Sequence, residues 1–271
     1  EAYDETIDIF DLIEDSQRSF DDTLEFLLRK KPENLSSVYD KLIKRSQNPK
    51  ASVPSKFSKL NERTNGFHPN DLVIIAARPA MGKTAYVLNE AKFQAEKGFP
   101  VGFLSLEMSD TELLGRIIAI DVGIESSRIK QNQLTPSEKE VLYGKSPESE
   151  RIRNLPIYIH DGTETSVIEA KSIIGKWVRQ NKVKIVYIDY LQLMRAGTGA
   201  KNSIREQEIA YISRKLKAIA KEFEITIVAL SQLSRAVEQR GGMPRPKLSD
   251  LRESGAIEQD ANVVQFLFSC S

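Results

Sequence analysis

A phosphate-binding loop is predicted at residues 76–84, where the sequence reads Ala-Ala-Arg-Pro-Ala-Met-Gly-Lys-Thr. The apolar run at 72–75 comes directly before it, which is typical of a buried strand leading into a tight turn and a helix. Backbone N–H groups of such a loop cradle phosphates, a lysine reaches the β- and γ-phosphates, and a threonine hydroxyl binds Mg²⁺. We therefore expect a nucleoside triphosphate and Mg²⁺ here, with Thr84 at the metal and these residues at the nucleotide: Ala80, Met81, Gly82, Lys83, Thr84 and Ala85.

One position departs from the usual pattern G-x-x-x-x-G-K-[ST], because Ala77 stands where the first glycine is expected. Alanine can serve in this turn if its φ angle is negative. The other parts of the pattern, Gly82-Lys83-Thr84, are intact. The alternative interpretation is an ordinary strand-to-helix turn with a surface lysine.

Three further polar residues follow predicted strands. Glu107 comes after the run at 101–106, Asp189 ends the run at 184–189, and Gln232 follows the run at 225–230. In a parallel sheet, ligands bind beyond the carboxyl ends of the strands. There Glu107, expected on the strand next to the phosphate loop, can polarise an attacking water. Asp189 can bind Mg²⁺ in the Walker B manner and Gln232 can touch the γ-phosphate. Ordinary alternatives are a solvated glutamate, a strand-capping aspartate and a polar strand end.

Two basic segments are candidates for contact with nucleic acid. They are 195–205, with Arg195, Lys201 and Arg205, and 235–252, with Arg235, Arg240, Arg245, Lys247 and Arg252. Both lack aromatic residues, so they favour sequence-independent contact with phosphates over base stacking. On composition alone, solvated surface loops are an equal alternative.

Composition limits the class of protein. The chain has 271 residues, 40% apolar and 28% charged, with a net charge of +1, which is typical of a globular protein whose polyanion contacts must be local. Its apolar runs are far shorter than the roughly 20 residues that span a membrane, and the acidic N-terminus lacks the plan of a signal peptide. The single cysteine, Cys270, indicates a cytoplasmic protein. His68 and His160 have no partner pattern, and no metal-ligand cluster is evident.

The periodicity predicts two parts. Residues 1–52 form a helical arm of short amphipathic helices with possible N-caps at Asp21-Asp22 and Ser36-Ser37. From residue 53 to 271, apolar strands alternate with helices, which predicts an α/β domain with a mainly parallel sheet covered by helices on both faces. The chain stops just after an apparently buried strand at 263–268, so we expect the domain to be incomplete at its C-terminus.

These motifs together resemble the C-terminal motor domain of the DnaB-type replicative helicases of bacteria and phages. The resemblance spans about residues 53–268. It rests on the phosphate loop with Ala77 and on four further motifs: Ser105-Leu106-Glu107-Met108, Ile188-Asp189-Tyr190-Leu191-Gln192, Leu230-Ser231-Gln232-Leu233-Ser234-Arg235 and residues 249–261.

The resemblance implies a RecA-like ATPase that forms a ring hexamer, moves 5′ to 3′ along single-stranded DNA, and works with primase and a helicase loader. Glu107 would be the catalytic base, Arg116 a second contact at the site, and Gln232 the residue that couples hydrolysis to the DNA loops. Arg252, Glu253 and Gly255 would lie where the family holds the DNA backbone. Residues 1–50 would contain the linker helix that docks on the adjacent subunit; the alternative is an arm that folds back on its own domain.

Three features differ from the family's pattern. The N-terminal collar domain and the trans-acting Lys-x-Arg pair expected after residue 268 are not in this sequence, and Lys56 stands where glycine is usual. Two other functions remain as alternatives. A RecA/RadA-type recombinase shares the core, although residues 245–261 argue against it. A nucleotide-binding replication scaffold without unwinding activity is disfavoured by the intact Lys83, Glu107 and Asp189.

Overall fold

The structure, a computed structural model, describes residues 34–47, 52–144, 146–163, 165–196, 205–233, 245–251 and 255–269. It divides into two compact units, residues 1–50 and 51–271.

The described part of the first unit is one amphipathic helix, α1 (Leu35–Gln47). Its cap differs from the prediction. The Asn34 side chain accepts a hydrogen bond from the Ser37 N–H at 2.9 Å, so the helix begins at Leu35 and Ser36-Ser37 lie inside its first turn. Asparagine and serine cap helices about equally well, so residue type alone could not decide between them. The other proposed cap, Asp21-Asp22, lies outside the described residues.

The second unit has six strands and nine further described α-helices. Its strands are β1 (Leu72–Ala77), β2 (Val101–Ser105), β3 (Ile157–Asp161), β4 (Ile185–Asp189), β5 (Thr226–Gln232) and β6 (Val263–Leu267). Its helices are α2 (Ser58–Thr64), α3 (Lys83–Glu96), α4 (Asp110–Val122), α5 (Ser126–Lys130), α6 (Pro136–Tyr143), α7 (Pro147–Arg153), α8 (Val167–Asn181), α9 (Arg205–Phe223) and α10 (Gly255–Asp260). No described helix is long and apolar enough to cross a membrane.

The strands form one sheet in the order β3-β2-β4-β5-β1-β6, and all of their pairings are parallel. This order corrects one expectation. The strand that precedes Glu107, β2, is not next to the phosphate-loop strand β1, because β4 and β5 lie between them. All six carboxyl ends still point the same way, so residues from separated strands can face one site. The last strand, β6, is at the outer edge and half-buried instead of fully buried.

Helices cover both faces of this sheet, as predicted. Successive residues of β1 point to opposite faces. Leu72 and Ile74 pack in one apolar cluster with residues of α8 and α9, including Ile174 and Leu216. Val73 and Ile75 pack in a second cluster with residues of α3 and α4, including Leu88 and Leu113. The two clusters hold β1 and α3, the elements that flank the phosphate loop.

Buried polar contacts also hold helix α3 in place. The carboxylate of Glu90 is fully buried and accepts hydrogen bonds from the Ser55 hydroxyl at 2.5 Å and the Lys56 N–H at 2.8 Å. Two turns of the helix separate Glu90 from Lys83. On the sheet side, the buried Tyr187 hydroxyl donates to Gln94 Oε1 at 2.8 Å. The start of the second unit and strand β4 are thus both tied to the helix that follows the phosphate loop.

Candidate nucleotide-binding site

The loop between β1 and α3 has the conformation that its sequence suggested, with one addition. Ala77 is buried at the end of β1 and has a negative φ angle, so it needs no glycine. Gly82, the N-cap of α3, has a φ of 78°, and a Cβ there would meet nothing within 4 Å. Glycine is therefore favoured by backbone conformation and not by lack of space. Ala80 also has a positive φ, 60°, which is uncommon for alanine and was not foreseen.

Lys83 lies over the loop that precedes it. Its Nζ donates to the carbonyl oxygens of Ala77 and Arg78, both at 3.3 Å. Burial lowers the pKa of Lys83, while the nearby carboxylates of Asp189 and Glu107 act in the opposite direction. Bound phosphates would supply the strong anionic partner that these two weak carbonyl contacts do not provide.

Thr84 and Asp189 form the candidate metal site. The Thr84 hydroxyl donates to Asp189 Oδ2 at 2.7 Å, although 105 positions separate the two residues in the chain. Asp189 is 2% exposed. Burial raises its pKa most; the Thr84 hydrogen bond lowers it, Glu107 raises it, and Lys83 and Arg116 lower it. One hydroxyl and one carboxylate beside a phosphate site fit Mg²⁺, which prefers hard oxygen ligands and keeps several waters.

Glu107 lies within a tight turn, Ser105–Met108, at the end of β2. The buried Ser105 hydroxyl donates to the Met108 carbonyl at 2.5 Å, and the Met108 N–H lies 3.3 Å from the same hydroxyl oxygen. The Leu106 N–H donates to the Asp189 carbonyl at 2.8 Å, which fixes this turn against the end of β4. Glu107 itself is exposed and faces the same cleft as Lys83 and Asp189.

The cleft has a volume of about 370 Å³ at the carboxyl ends of the strands. It brings together most of the predicted nucleotide and catalytic residues, with Arg116 of α4 reaching it from the side. Its lining is Pro79, Ala80, Gly82, Lys83, Thr84, Ala85, Glu107, Arg116, Asp189, Tyr190 and Gln232. Met81 lies outside this lining and beside a second pocket, with Tyr86 and Phe268.

Gln232 is held by a residue to which the sequence had given no role of its own. The Gln232 N–H donates to Gln192 Oε1 at 3.3 Å, and Gln192 Nε2 donates to the Ser231 hydroxyl at 3.0 Å. Ala77 pairs with Gln232 in the β1–β5 register, so the phosphate loop and Gln232 leave the sheet side by side. The only sequence signal for Gln192 was its place in the motif that follows Asp189.

The predicted DNA-binding residues are only partly described. Arg195 is held through its backbone, which pairs with Ser166, and the Arg205 guanidinium contacts Glu208 and the Gln192 carbonyl. Arg245 and Lys247 are exposed, and Gly255 begins α10. Five other predicted residues lie outside the described residues: Lys201, Arg235, Arg240, Arg252 and Glu253. The described residues therefore include most of the predicted nucleotide residues but only part of the predicted DNA-binding set.

Comparison with known proteins places this geometry in a family. The sequence model of the "DnaB-like helicase C terminal domain" matches residues 52–270. The replicative DNA helicase DnaB of Geobacillus stearothermophilus is 41% identical over 218 residues, covering 80% of this chain and 47% of that protein. The replicative DNA helicase DnaC of Bacillus subtilis is 35% identical over 279 residues, covering 99% of this chain and 60% of that protein. The chain thus spans about half the length of such relatives.

Solved structures give the same result. One solved structure, described as an ATPase domain, superposes with a TM-score of 0.78 and 37% sequence identity, covering 88% of this chain and 84% of that one. A DnaB-like replicative helicase, solved to show its interactions with primase, superposes with a TM-score of 0.75 and 36% identity, covering 89% and 57%. These likenesses confirm the predicted RecA-like fold.

Proposed function

Because the chain belongs to the family of DnaB-like helicase C-terminal domains, we propose that it is the motor of a replicative DNA helicase. It would hydrolyse ATP with Mg²⁺, move 5′ to 3′ along single-stranded DNA and unwind the duplex at the replication fork. The observation that carries this proposal is the single cleft lined by Lys83, Thr84, Glu107, Asp189 and Gln232. A helicase works where the chromosome lies, which agrees with the expected cytoplasmic location.

The loop between β1 and α3, together with Lys83, binds the phosphates. The α3 N-terminus supplies backbone N–H groups and the positive end of a helix dipole to the triphosphate. Lys83 gains the β- and γ-phosphates as partners, which restores the pKa that burial lowers. Thr84 and Asp189 hold Mg²⁺, which neutralises charge on the phosphate oxygens when bound.

Glu107 acts as the general base. It orients a water and accepts its proton as the water oxygen bonds to the γ-phosphorus and the bond to the β-phosphate oxygen breaks. The Ser105–Met108 turn holds the Glu107 backbone against the end of β4 without desolvating its carboxylate. Arg116, half-buried in the lining of the same cleft, adds positive charge beside Asp189.

Gln232 and the basic segments link hydrolysis to DNA. Gln232 contacts the γ-phosphate and responds to its loss. The DNA phosphates are held by Arg195, Lys201, Arg205, Arg240, Arg245, Lys247, Arg252, Glu253 and Gly255. Exposure of Arg245 and Lys247 supports this assignment.

The wider assembly belongs to the same proposal. The motor domain, residues 53–271, forms a ring hexamer, and residues 1–52 form an arm whose apolar stripe in α1 docks on the adjacent subunit. Primase and a helicase loader are the expected partners. A DnaB-like relative was solved to show its interactions with primase.

Unwinding of a forked duplex with a 5′ tail by the natural full-length protein tests this proposal. We expect ATP-dependent unwinding and ATP turnover stimulated by single-stranded DNA, both abolished in Lys83→Ala. The matched control is Lys97→Ala, at the other end of the same helix, which should behave like the wild type. ATP turnover without unwinding would favour a scaffold, and strand exchange on open filaments would favour a recombinase.

A further inference from the structure

We propose that Gln192 is a positioning residue that connects Gln232, at the end of β5, to Arg205, at the start of α9. Through it, the nucleotide cleft is mechanically connected to the first basic segment. This inference rests on the proposed motor function, since it concerns how hydrolysis reaches the DNA-facing part of the chain.

The first step is the contact between Gln192 and β5. Pairing between β4 and β5 ends at Ile188 and Ala229, three residues before Gln232. Beyond that point the Gln192 side chain takes the place of a neighbouring strand. Its Oε1 accepts from the Gln232 N–H at 3.3 Å, and its Nε2 donates to the Gln232 carbonyl at 3.4 Å and to the buried Ser231 hydroxyl at 3.0 Å. The Gln192 side-chain amide therefore hydrogen-bonds to both the N–H and the carbonyl of Gln232, the residue proposed to contact the γ-phosphate.

The second step is the contact between the Gln192 backbone and the start of α9. The Gln192 carbonyl accepts a hydrogen bond from the Arg205 guanidinium, which also lies 3.5 Å from the Met194 carbonyl. Arg205 pairs with Glu208 on the same helix, and Glu208 Oε1 accepts from the Ala196 N–H at 3.1 Å. Residues before and after the stretch 197–204, which lies outside the described residues, are thus bonded to each other.

These contacts form a continuous path from Gln232 through Gln192 to Arg205. A shift of the Gln232 main chain must either move Gln192 or break its amide contacts. A planar guanidinium suits the second junction because its fixed fork places Nη1 on Glu208 while Nη2 donates to the Gln192 carbonyl, which a lysine ammonium does less well. Arg205, proposed above to hold a DNA phosphate, therefore also has a role within the protein.

Steady-state ATP hydrolysis by the full-length protein, with and without a single-stranded thymidine oligonucleotide, tests the path. Gln192→Met has similar length and removes all three amide contacts. We expect the DNA-stimulated to basal ratio of turnover to fall about tenfold, within the usual range of coupling between sites. The KM for ATP should change less than about twofold, because Gln192 does not line the cleft.

Arg205→Lys separates the internal role from a DNA contact. It keeps the positive charge but loses the fork that joins Glu208 to the Gln192 carbonyl, so we expect the same loss of stimulation as in Gln192→Met. The double variant should be no worse than either single variant, because both break one path. Arg214→Lys, an exposed arginine on the same helix, is the matched control and should behave like the wild type.

The contrary results are distinct. Normal DNA stimulation in Gln192→Met, or additive losses in the double variant, would overturn the proposal. A third pair of results would also overturn it. Arg205→Lys would show normal stimulation, and in Arg205→Gln the slope of the logarithm of DNA affinity against the logarithm of salt concentration would fall by about one, the signature of a lost phosphate contact. If Gln192→Met does not fold, Gln192→Glu replaces it. Its carboxylate cannot donate to the Gln232 carbonyl and repels it, so the same loss of stimulation is expected. Absence of DNA stimulation in the wild type would instead refute the proposed function.

Discussion

Replacing Glu90 tests how the helix after the phosphate loop is held. Glu90 is fully buried, and its carboxylate accepts the Ser55 hydroxyl and the Lys56 N–H at 2.5 and 2.8 Å. In Glu90→Ala the buried Ser55 hydroxyl and the part-buried Lys56 N–H both lose their acceptor. Glu90→Gln keeps the shape and one accepting oxygen, and it does not titrate.

The size of the effect follows from these contacts. Each polar group left without a partner lowers the free energy of unfolding by about 1–3 kcal/mol. Removing the buried carboxylate itself offsets part of this loss. For Glu90→Ala we therefore expect a net loss of about 3 kcal/mol. In a domain of this size each kcal/mol shifts the melting temperature by about 2–4 °C. We therefore expect the alanine variant to melt roughly 6–12 °C lower. Glu90→Gln should lose only about a third of this.

The two variants also differ in pH dependence. Burial raises the pKa of Glu90 more than the Ser55 and Lys56 hydrogen bonds lower it. The folded state therefore holds this proton at a pH where the unfolded chain, with a glutamate pKa of about 4.3, has released it. The contribution of Glu90 to stability is full below the unfolded pKa and falls as pH rises through the folded pKa. The advantage of the wild type over Glu90→Gln should shrink as pH rises from about 4.3.

Thermal unfolding followed by circular dichroism between pH 5 and 7.5 measures both effects. Glu62→Gln, at an exposed position, is the matched control and should melt like the wild type. A melting temperature of Glu90→Ala within about 1 °C of the wild type would refute the burial argument. A wild-type advantage over Glu90→Gln that grows with pH would show that its folded pKa is lowered instead.

Two further substitutions have defined outcomes. Thr84→Val removes the hydroxyl that donates to Asp189, so the Mg²⁺ concentration for half-maximal ATP hydrolysis should rise about tenfold to a hundredfold. The control Thr84→Ser keeps the hydroxyl and should be near normal. Equal Mg²⁺ requirements in the two variants would contradict this. Tyr187→Phe removes the buried hydroxyl that donates to Gln94, which should cost about 1–3 kcal/mol in chemical unfolding. The exposed Tyr211→Phe should cost nothing, and equal stability of the two variants would refute the account.

Much of the nucleotide cleft could be predicted from sequence because parallel sheets place strand ends together. The approach of Thr84 to Asp189, at 2.7 Å, follows because the loop before Thr84 and the residue Asp189 both lie at carboxyl ends of parallel strands. The roles proposed for these residues remain predictions. The helices on both sheet faces were predictable for a similar reason, since near-continuous apolar strands must be buried on both sides.

Strand order and side-chain contacts were not predictable. Local sequence gives a strand's existence but not its neighbours, so Glu107 was expected on the strand beside the phosphate loop and lies three places away in the sheet. The bridge from Gln192 to Gln232 depends on where β4 stops and on one rotamer. The cap at Asn34 was missed because neighbouring polar residues have similar capping tendencies. The positive φ of Ala80 has no sequence signal at all.

Comparison of Glu107→Gln with the wild type in the full-length protein tests the central claim most directly. ATP affinity and ATP turnover should be measured on the same samples with saturating single-stranded DNA. Loss of a general base predicts turnover lower by about 10²–10⁴-fold with ATP affinity changed little, because the exposed Glu107 side chain does not form the phosphate loop. Full turnover in Glu107→Gln would contradict the claim that this cleft hydrolyses ATP with Glu107 as its base.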